Sequence, residues 1–189
     1  MTWMETGAPS GTQASEMLPR VEVIPAGPAQ EPILANLLEL YVHDFSEFLD
    51  LDIGEDGRFG YPSLPLYWSE PGRHPFLIWA DGKLAGLALV KNGSEGSGSE
   101  AAWDMAEFFV LRGYRGRRVG SLAAHELWRL FPGPWEVRVM HRNASARRFW
   151  AGAIAAFAGE VVEPVRIEKN GEPWDFFSFQ SRRVVASDN

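Results

Sequence analysis

Four arginines and three glycines are concentrated between residues 112 and 121. Residues 104–111, just before them, are mostly apolar with β-branched and aromatic members, which predicts a strand. The apolar residues that follow recur at helical spacing: Val119, Leu122, Ala123, Leu127, Leu130 and Phe131. A strand, a basic glycine-rich loop and a helix favour phosphate binding, because a helix N-terminus offers free N–H groups and glycines let the backbone close around an anion.

The composition limits the class of protein. The 189 residues, 46% of them hydrophobic, predict one domain with a sizeable core, and the 8 tryptophans predict an aromatic core or an aromatic-lined pocket. The absence of cysteine excludes disulfides, thiol catalysis and cysteine-based metal sites, and we expect no metal. A net charge of −7 argues against a nucleic-acid partner. No apolar run approaches the ~20 residues of a membrane span. No secretory signal is visible either, so we expect no membrane partner and a cytoplasmic location.

A single domain is predicted over residues 21–181. Residues 1–20 are rich in Gly, Ser, Thr and Pro, which predicts a disordered tail, and residues 182–189 predict a frayed one. The domain begins with Val21–Ile24, which alternates as a strand. Pro32 then opens a helix, where its missing N–H does no harm.

The predicted elements indicate an α/β (α+β) fold. Asp81-Gly82 and Asn170-Gly171 each lie between strand-like runs and predict two-residue hairpin turns. Residues 135–140 alternate as a strand, and Asn143 is a favourable N-cap for the helix after it. The order, β-α-β-β-β-α-β-α-β-β, implies a mixed, mostly antiparallel sheet flanked by helices.

Acidic residues cluster at the end of the first predicted helix and beyond it: Asp44, Glu47, Asp50, Asp52, Glu55 and Asp56. They form either a solvated acidic face or an acidic rim that attracts an amine. Residues 61–75 hold four prolines, two tyrosines and Trp68, and predict an irregular segment. This segment either lines a pocket or covers the core.

Two motifs resemble the GNAT superfamily of N-acetyltransferases. The stretch that begins at Val110, Val-Leu-Arg-Gly-Tyr-Arg-Gly-Arg-Arg-Val-Gly-Ser, is similar to the family's acetyl-CoA loop, with its core (Gln/Arg)-x-x-Gly-x-(Gly/Ala). Arg115 and Gly120 match the ends of that core, whereas Arg118 stands where the middle glycine is expected. The residues Asn143-x-x-Ala146-x-x-Phe149-Trp150 resemble the start of the family's following helix. The element order over residues 21–180 also fits, and the chain looks closest to a poorly characterised branch of small GNAT proteins.

The resemblance implies an acetyl-CoA site beside a strand that splays from its neighbour. Backbone groups of Phe109, Val110 and Leu111 would pair with the pantetheine arm. The loop would wrap the pyrophosphate with Arg115, Gly116, Arg117, Arg118, Val119, Gly120 and Ser121, unless Arg117 and Arg118 instead reach the adenosine 3′-phosphate. Because a positive φ would strain an arginine, we expect Arg118 near αR geometry. Asn143 would bond the pantetheine amide, and Trp150 would pack on the pantetheine or bond the sulfur.

For acetyl transfer to an amine, the resemblance implies a carboxylate base on the central strand, and the candidates are Asp104 and Glu107. Three positions apart, they face opposite sides of a regular strand, so one at most faces the cleft unless a bulge intervenes. We favour Glu107, which lies nearer the expected thioester; a surface carboxylate is the alternative for either. Many relatives have a tyrosine acid at the position of Trp150, whose indole only donates. His141 is a weaker candidate acid or base, and His125 is expected to be structural.

The leading hypothesis is therefore an acetyl-CoA-dependent N-acetyltransferase that moves an acetyl group directly to an amine of a small molecule or peptide. Many relatives are dimers, so a homodimer is also considered. The alternative is a catalytically idle acyl-CoA sensor or interaction domain, because the tyrosine and the middle glycine are replaced. A nucleotide-binding module is disfavoured, since residues 116–121 lack the Gly-Lys-(Ser/Thr) ending of a P-loop. The acidic stretch faintly favours a cationic acceptor.

Overall fold

The computed structural model describes residues 18–94 and 96–182, so most of both predicted tails lies outside the described residues. The strands are β1 (Val21–Pro25), β2 (Arg73–Ala80), β3 (Lys83–Asn92), β4 (Trp103–Val110), β5 (Gly133–Met140), β6 (Val165–Lys169) and β7 (Glu172–Ser181). The helices are α1 (Glu31–Phe45), α2 (Leu66–Ser69), α3 (Val119–Leu130) and α4 (Ala144–Ala158). The predicted element order is confirmed, with α2 as an added single turn in the segment that was expected to be irregular.

Local sequence explains the two hairpin turns. Asp81 and Gly82 have positive φ angles of 50° and 73°, and Asn170 and Gly171 have φ angles of 55° and 77°. Two successive positive φ angles define the type I′ turn, whose twist matches that of the flanking strands. Asp, Asn and Gly adopt this conformation at the least steric cost. The β2–β3 and β6–β7 hairpins are therefore confirmed.

The strands form one sheet in the order β1-β2-β3-β4-β5-β7-β6. Neighbouring strands are antiparallel except β4 and β5, which are parallel. This pair is joined at two positions, Trp103 with Trp135 and Asp104 with Glu136. Beyond Asp104 the two strands diverge, so the sheet is open in its middle at one end. The mixed, mostly antiparallel sheet and the splayed strand are both confirmed.

The sheet is covered on both faces, and each face has its own core. On one face, α1 and α2 bury Leu34, Leu38 and Tyr67 against β3 and β4. On the other face, α3 and α4 bury a larger cluster that includes Trp128 and Ile154. The helical spacing of the apolar residues gives each helix one buried side. Leu130 is an exception to the predicted face of α3, because it is 53% exposed and the next residue, Phe131, packs on the core instead.

Among the helices of the described residues, none has the length and apolar character needed to cross a bilayer.

Candidate active site

A cleft of about 880 Å³ occupies the gap where β4 and β5 diverge. Its lining reaches both faces of the sheet. One part consists of the loop and the N-terminal turns of α3 and α4, and we call it the loop side: Arg115, Gly116, Arg118, Gly120, Ser121, Asn143, Phe149 and Trp150. The other part lies beneath α1, and we call it the carboxylate side: Tyr41, Phe45, Phe48, Leu51, Tyr61, Glu107, Arg138 and Trp174. The cleft therefore joins two chemically different surfaces.

Two positive backbone angles shape the loop side. Gly116 has a φ of 75°, and Arg118 has a φ of 63° with a ψ of 0°. The expectation of αR geometry at Arg118 was wrong. Arg118 is the N-cap of α3, where the chain turns from the loop into the helix, and the left-handed conformation makes this turn at a cost of about 1–2 kcal/mol. Backbone strain of this kind tends to cluster at ligand-binding sites.

The first turn of α3 provides backbone donors to the loop side. The Arg118 carbonyl accepts the first intrahelical hydrogen bond, from the fourth residue after it, so the N–H groups of Val119, Gly120 and Ser121 precede that bond. Gly120 is closely approached, since a Cβ there would lie 3.1 Å from two ring carbons of Phe149. Backbone amides at the positive end of a helix can bind an anion, and the glycine in the middle of these three lets the anion approach the backbone closely.

The last residues of β4 carry part of the predicted cofactor backbone. Of the three residues predicted to meet the pantetheine arm, Phe109 and Val110 line the cleft and Leu111 does not. The Leu111 N–H donates to the Ala85 carbonyl at 2.9 Å. The Val110 carbonyl accepts a hydrogen bond from Arg115 Nε at 2.8 Å. A carbonyl has two lone pairs, so Val110 retains capacity to accept a second donor.

Asn143 and Trp150 form the α4 wall of the loop side. Asn143 Oδ1 accepts a hydrogen bond from the Ala146 N–H at 3.0 Å, which confirms the predicted N-cap. Trp150 is buried, and its ring centroid lies 5.0 Å from that of Phe108 and 4.8 Å from that of Phe149. These contacts fix the indole as an apolar wall of the cleft.

A bulge in β4 brings both candidate carboxylates to the same face of the sheet. Leu89 of β3 pairs with Glu107, and Lys91 pairs with Asp104. Three steps along β4 therefore match two steps along β3, and Ala106 is the extra residue. Residues two apart on a strand face the same side, so their cross-strand partners do so too. Without this bulge, regular alternation along β4 would place the two carboxylates on opposite faces of the sheet.

Asp104 is enclosed by cations and does not line the cleft. Its side chain is 2% exposed, and its Oδ2 accepts a hydrogen bond from Arg138 Nη1 at 2.7 Å. Lys91 Nζ lies 3.7 Å from the same oxygen. The surroundings of Asp104 are those of a buried ion pair, which makes it a poor candidate for a base that must meet a substrate.

Glu107 lies in the cleft, at the bottom of the carboxylate side. Its Oε1 accepts a hydrogen bond from the Tyr61 hydroxyl at 2.8 Å, and Tyr41 provides a second phenol. Burial raises the pKa of Glu107 above its ordinary value, and the two phenols and Arg138 partly offset this rise. A carboxylate with a raised pKa holds a proton more strongly, which suits a general base.

The sequence matches a known family over most of this site. The profile described as the acetyltransferase (GNAT) family matches residues 34–154, which include most of α1, both candidate carboxylates and the loop. The chain belongs to the GNAT acetyltransferase family. A search of curated proteins found no match to it.

Solved GNAT structures share the fold at low sequence identity. A probable acetyltransferase from Chromobacterium violaceum is 18% identical, with a TM-score of 0.55 over 96% of this chain and 94% of the other. A putative acetyltransferase from Salmonella typhimurium, with its cofactor acetyl-CoA, is 14% identical, with a TM-score of 0.60 over 89% and 98%. An aminoglycoside acetyltransferase in complex with coenzyme A is 11% identical, with a TM-score of 0.63 over 85% and 95%.

Within the GNAT loop, the predicted residues are not equivalent. Five of the seven line the cleft: Arg115, Gly116, Arg118, Gly120 and Ser121. Val119 is buried in the core, so only its backbone is available to the cleft. Arg117 is exposed outside the cleft. The guanidinium of Arg115 bonds to Asp44 Oδ2 at 2.6 Å, which ties the loop to α1.

Of the six acidic residues near α1, only Asp44 and Glu47 line the GNAT cleft. Asp44 is held by Arg112 and Arg115, each at 2.6 Å. Partial burial acts to raise the pKa of Asp44, but the hydrogen bonds from the two arginines outweigh it, and the pKa is lowered. The other four are exposed outside the cleft, which supports their interpretation as a solvated acidic face: Asp50, Asp52, Glu55 and Asp56.

Neither histidine considered for catalysis lines the GNAT cleft. His125 Nε2 lies 2.8 Å from the Ala153 carbonyl, so the ring joins α3 to α4 and its expected structural role is confirmed. Burial lowers the pKa of His125. His141 Nδ1 lies 2.9 Å from Asp175 Oδ2, beside Arg166.

Sequence reasoning missed three members of the carboxylate side: Tyr41, Tyr61 and Arg138. Tyr41 fits the apolar pattern of α1, so its hydroxyl carried no separate signal. Tyr61 belongs to the aromatic and proline-rich segment, where pocket lining was one of two alternatives. It reaches Glu107 across 46 residues of sequence, a contact that local spacing does not predict. Arg138 alternates with valines on β5, and this placement of an arginine inside a sheet was the available clue.

Proposed function

We propose that this GNAT domain binds acetyl-CoA on the loop side and transfers its acetyl group directly to an amine on the carboxylate side. The observation that carries the proposal is the continuity of one cleft, which runs from an anion-suited loop to the partly buried Glu107. The acetyl-CoA and coenzyme A complexes of two structural neighbours support the choice of cofactor.

The loop side fits the chemical groups of acetyl-CoA. The amides at the start of α3, with Gly116 and Gly120, would hold the diphosphate. The edge of β4 beyond Asp104 has no pairing with β5, so its backbone would meet the amides of the pantetheine arm. Trp150 would cover the apolar part of that arm. When bound, acetyl-CoA supplies an acetyl group activated as a thioester.

Glu107 is proposed as the general base. An alkylamine with a lysine-like pKa of about 10.4 is mostly protonated at pH 7, and only the neutral amine attacks. Glu107 would accept the proton, directly or through water. The Tyr61 hydroxyl fixes the orientation of its carboxylate. Asp104 is proposed as a positioning residue, because it holds Arg138 near Glu107.

The test combines binding with product analysis. Calorimetry of the purified chain should detect acetyl-CoA binding, and incubation with primary amines should release thiol and give N-acetylated products by mass spectrometry. Binding without product formation across a broad amine panel would contradict the proposed transfer and favour the idle acyl-CoA-binding domain. An absence of binding would contradict both.

A further inference from the structure

The carboxylate side has an almost continuous aromatic wall. Ring centroids of Phe109 and Tyr41 lie 6.0 Å apart, those of Tyr41 and Phe45 lie 5.5 Å apart, and those of Phe45 and Phe48 lie 6.2 Å apart. All four rings line the cleft. The row leads from the base of the cleft, beside Glu107, toward the end of α1 and the segment after it. Aromatic surface in this position offers burial to an apolar substrate body.

The wall formed by β5 and β7 also has apolar members. Val137 and Val139 belong to the core beneath α3 and α4, so Arg138 between them faces the carboxylate side. Met140 lies two residues further along β5, on that same face, and it pairs with Trp174 of β7. Trp174 lines the cleft, so indole and phenyl rings flank the path to Glu107.

The charged groups beneath this wall balance one another. Asp104 and Glu107 are two carboxylates, and Lys91 and Arg138 are two cations in the same region. Asp44 is already bonded to two arginines. Among the described residues that line the cleft, this leaves Glu107 as the deep carboxylate and Glu47 as an exposed one, where water screens its charge.

A single carboxylate deep in the cleft can pair with only one ammonium group of the acceptor. A second ammonium group buried in the cleft would lose its hydration and approach the positive charge of Arg138. The aromatic rings would return only part of this cost by cation–π attraction, which does not offset the burial of an unpaired charge. The aromatic rings would instead stabilise methylene or aryl groups, at a factor of about four in affinity for each buried methylene.

We infer that the acceptor is a primary monoamine carried on an apolar or aromatic body, rather than a polyamine or an aminoglycoside. This inference rests on the proposed function for the identity of the reacting amine. The acidic stretch gives no reason to expect further positive charge on the acceptor, because most of its carboxylates lie outside the cleft.

The test compares hexylamine with 1,6-diaminohexane, which has the same carbon chain and one more ammonium group. For the chain loaded with acetyl-CoA, the kcat/KM for hexylamine should be at least about tenfold higher than the kcat/KM for 1,6-diaminohexane. Across butylamine, pentylamine and hexylamine, kcat/KM should rise by up to about fourfold for each methylene. Equal rates, or a preference for the diamine or for kanamycin, would overturn the inference.

Equilibrium binding keeps this inference separate from the proposed transfer. Calorimetry with the chain saturated by coenzyme A should show hexylamine binding more tightly than the diamine, whether or not turnover occurs. If coenzyme A binds and no amine is acetylated, the proposed function fails, and the binding comparison still decides the inference. Undetectable hexylamine binding at several millimolar would overturn it.

A variant pair locates the apolar contact. Phe48→Ala should raise the KM or Kd for hexylamine about tenfold, because it removes the outer ring of the wall, while the diamine changes by less than about twofold. Phe59→Ala is the matched control, since Phe59 lies in the same segment but does not line the cleft. Equal effects of the two substitutions on hexylamine would contradict a substrate contact at Phe48.

Discussion

The two sides of the cleft achieve recognition by different physical means. The loop side works mainly through backbone: positive φ angles at Gly116 and Arg118, and amides at the start of α3. The carboxylate side works through side chains drawn from distant parts of the chain, with Tyr61 bonded to Glu107 across 46 residues. Backbone geometry suits a constant ligand such as a diphosphate, whereas side chains can change to suit different acceptors.

This difference explains which side the sequence reveals. The glycines, the arginines and the Asn143 cap are neighbours in sequence, so their spacing predicts the loop side directly. A general base for an amine has no such local pattern on β4, where two carboxylates were equally visible. Substitutions on the two sides should therefore have different effects, and five predictions test this comparison through catalysis, cofactor binding or stability.

The largest expected effect is that of Glu107→Gln. If Glu107 is the base, kcat should fall by about 10²–10⁴, because the amide does not accept the proton, while the affinity for acetyl-CoA stays unchanged. Thiol release in steady state measures the first quantity and calorimetry the second. Glu55→Gln, an exposed carboxylate outside the cleft, is the control and should be neutral. A kcat within about threefold of the wild type would remove Glu107 from the chemistry.

Asp104→Asn should instead reduce stability. The substitution removes the buried carboxylate charge that Arg138 and Lys91 share, so the free energy of unfolding should fall by about 3 kcal/mol in urea denaturation. Asp52→Asn, on an exposed residue, should change it by less than about 0.5 kcal/mol. Should Asp104→Asn unfold like the wild type yet abolish turnover, the roles of the two carboxylates would have to be exchanged.

The pH dependence of kcat/KM should report on Glu107. Its pKa is raised in the folded protein, so it becomes protonated, and inactive as a base, at a higher pH than an ordinary glutamate. The rate should therefore fall about tenfold per pH unit below that pKa and level off above it. The acidic limb should lie above the ordinary range of glutamate and should vanish in Glu107→Gln. A limb that persists unchanged in this variant belongs to another group.

On the loop side, Gly120→Ala should weaken acetyl-CoA binding about tenfold with little change in kcat, because the added methyl would lie 3.1 Å from the Phe149 ring. Gly152→Ala is the matched control. A Cβ at Gly152 would meet nothing within 4 Å, and alanine favours the interior of α4, so affinity should be unchanged and stability higher by about 0.5–1 kcal/mol. Equal cofactor affinities of the two variants would contradict the close approach at Gly120.

The smallest expected effect concerns the strained N-cap. Arg118→Gly should raise the free energy of unfolding by about 0.5–1 kcal/mol, because glycine adopts a φ of 63° without steric cost. The control Arg117→Gly, at a position without positive φ, should be neutral or destabilising. Chemical denaturation of both variants measures the difference. A destabilised Arg118→Gly would mean that the arginine side chain contributes more than its backbone strain removes.

Most of the fold follows from the sequence, because its signals are local. The pairs Asp81-Gly82 and Asn170-Gly171 specify their turns by backbone preference. Asn143 specifies its cap by a hydrogen bond to a residue only three positions later in the sequence. The apolar spacing of the helices predicts their buried sides. These features can be predicted without knowing which strands pair in the sheet.

The parts of the site that escaped prediction depend on tertiary structure. The bulge at Ala106 exists only relative to the register of β3, and it decides that both carboxylates share a face. The left-handed angle at Arg118 runs against the preference of arginine and is imposed by the turn into α3. The acidic residues near α1 looked alike in sequence, but only the fold separates Asp44, bonded to two arginines, from those in solvent.

Calorimetric titration of acetyl-CoA into the wild type, Glu107→Gln and Gly120→Ala tests the division of the cleft most directly. The wild type and Glu107→Gln should bind with the same affinity, and Gly120→Ala should bind about tenfold more weakly. Loss of binding in Glu107→Gln with full binding in Gly120→Ala, or no binding by the wild type, would contradict the assignment of the cofactor to the loop side.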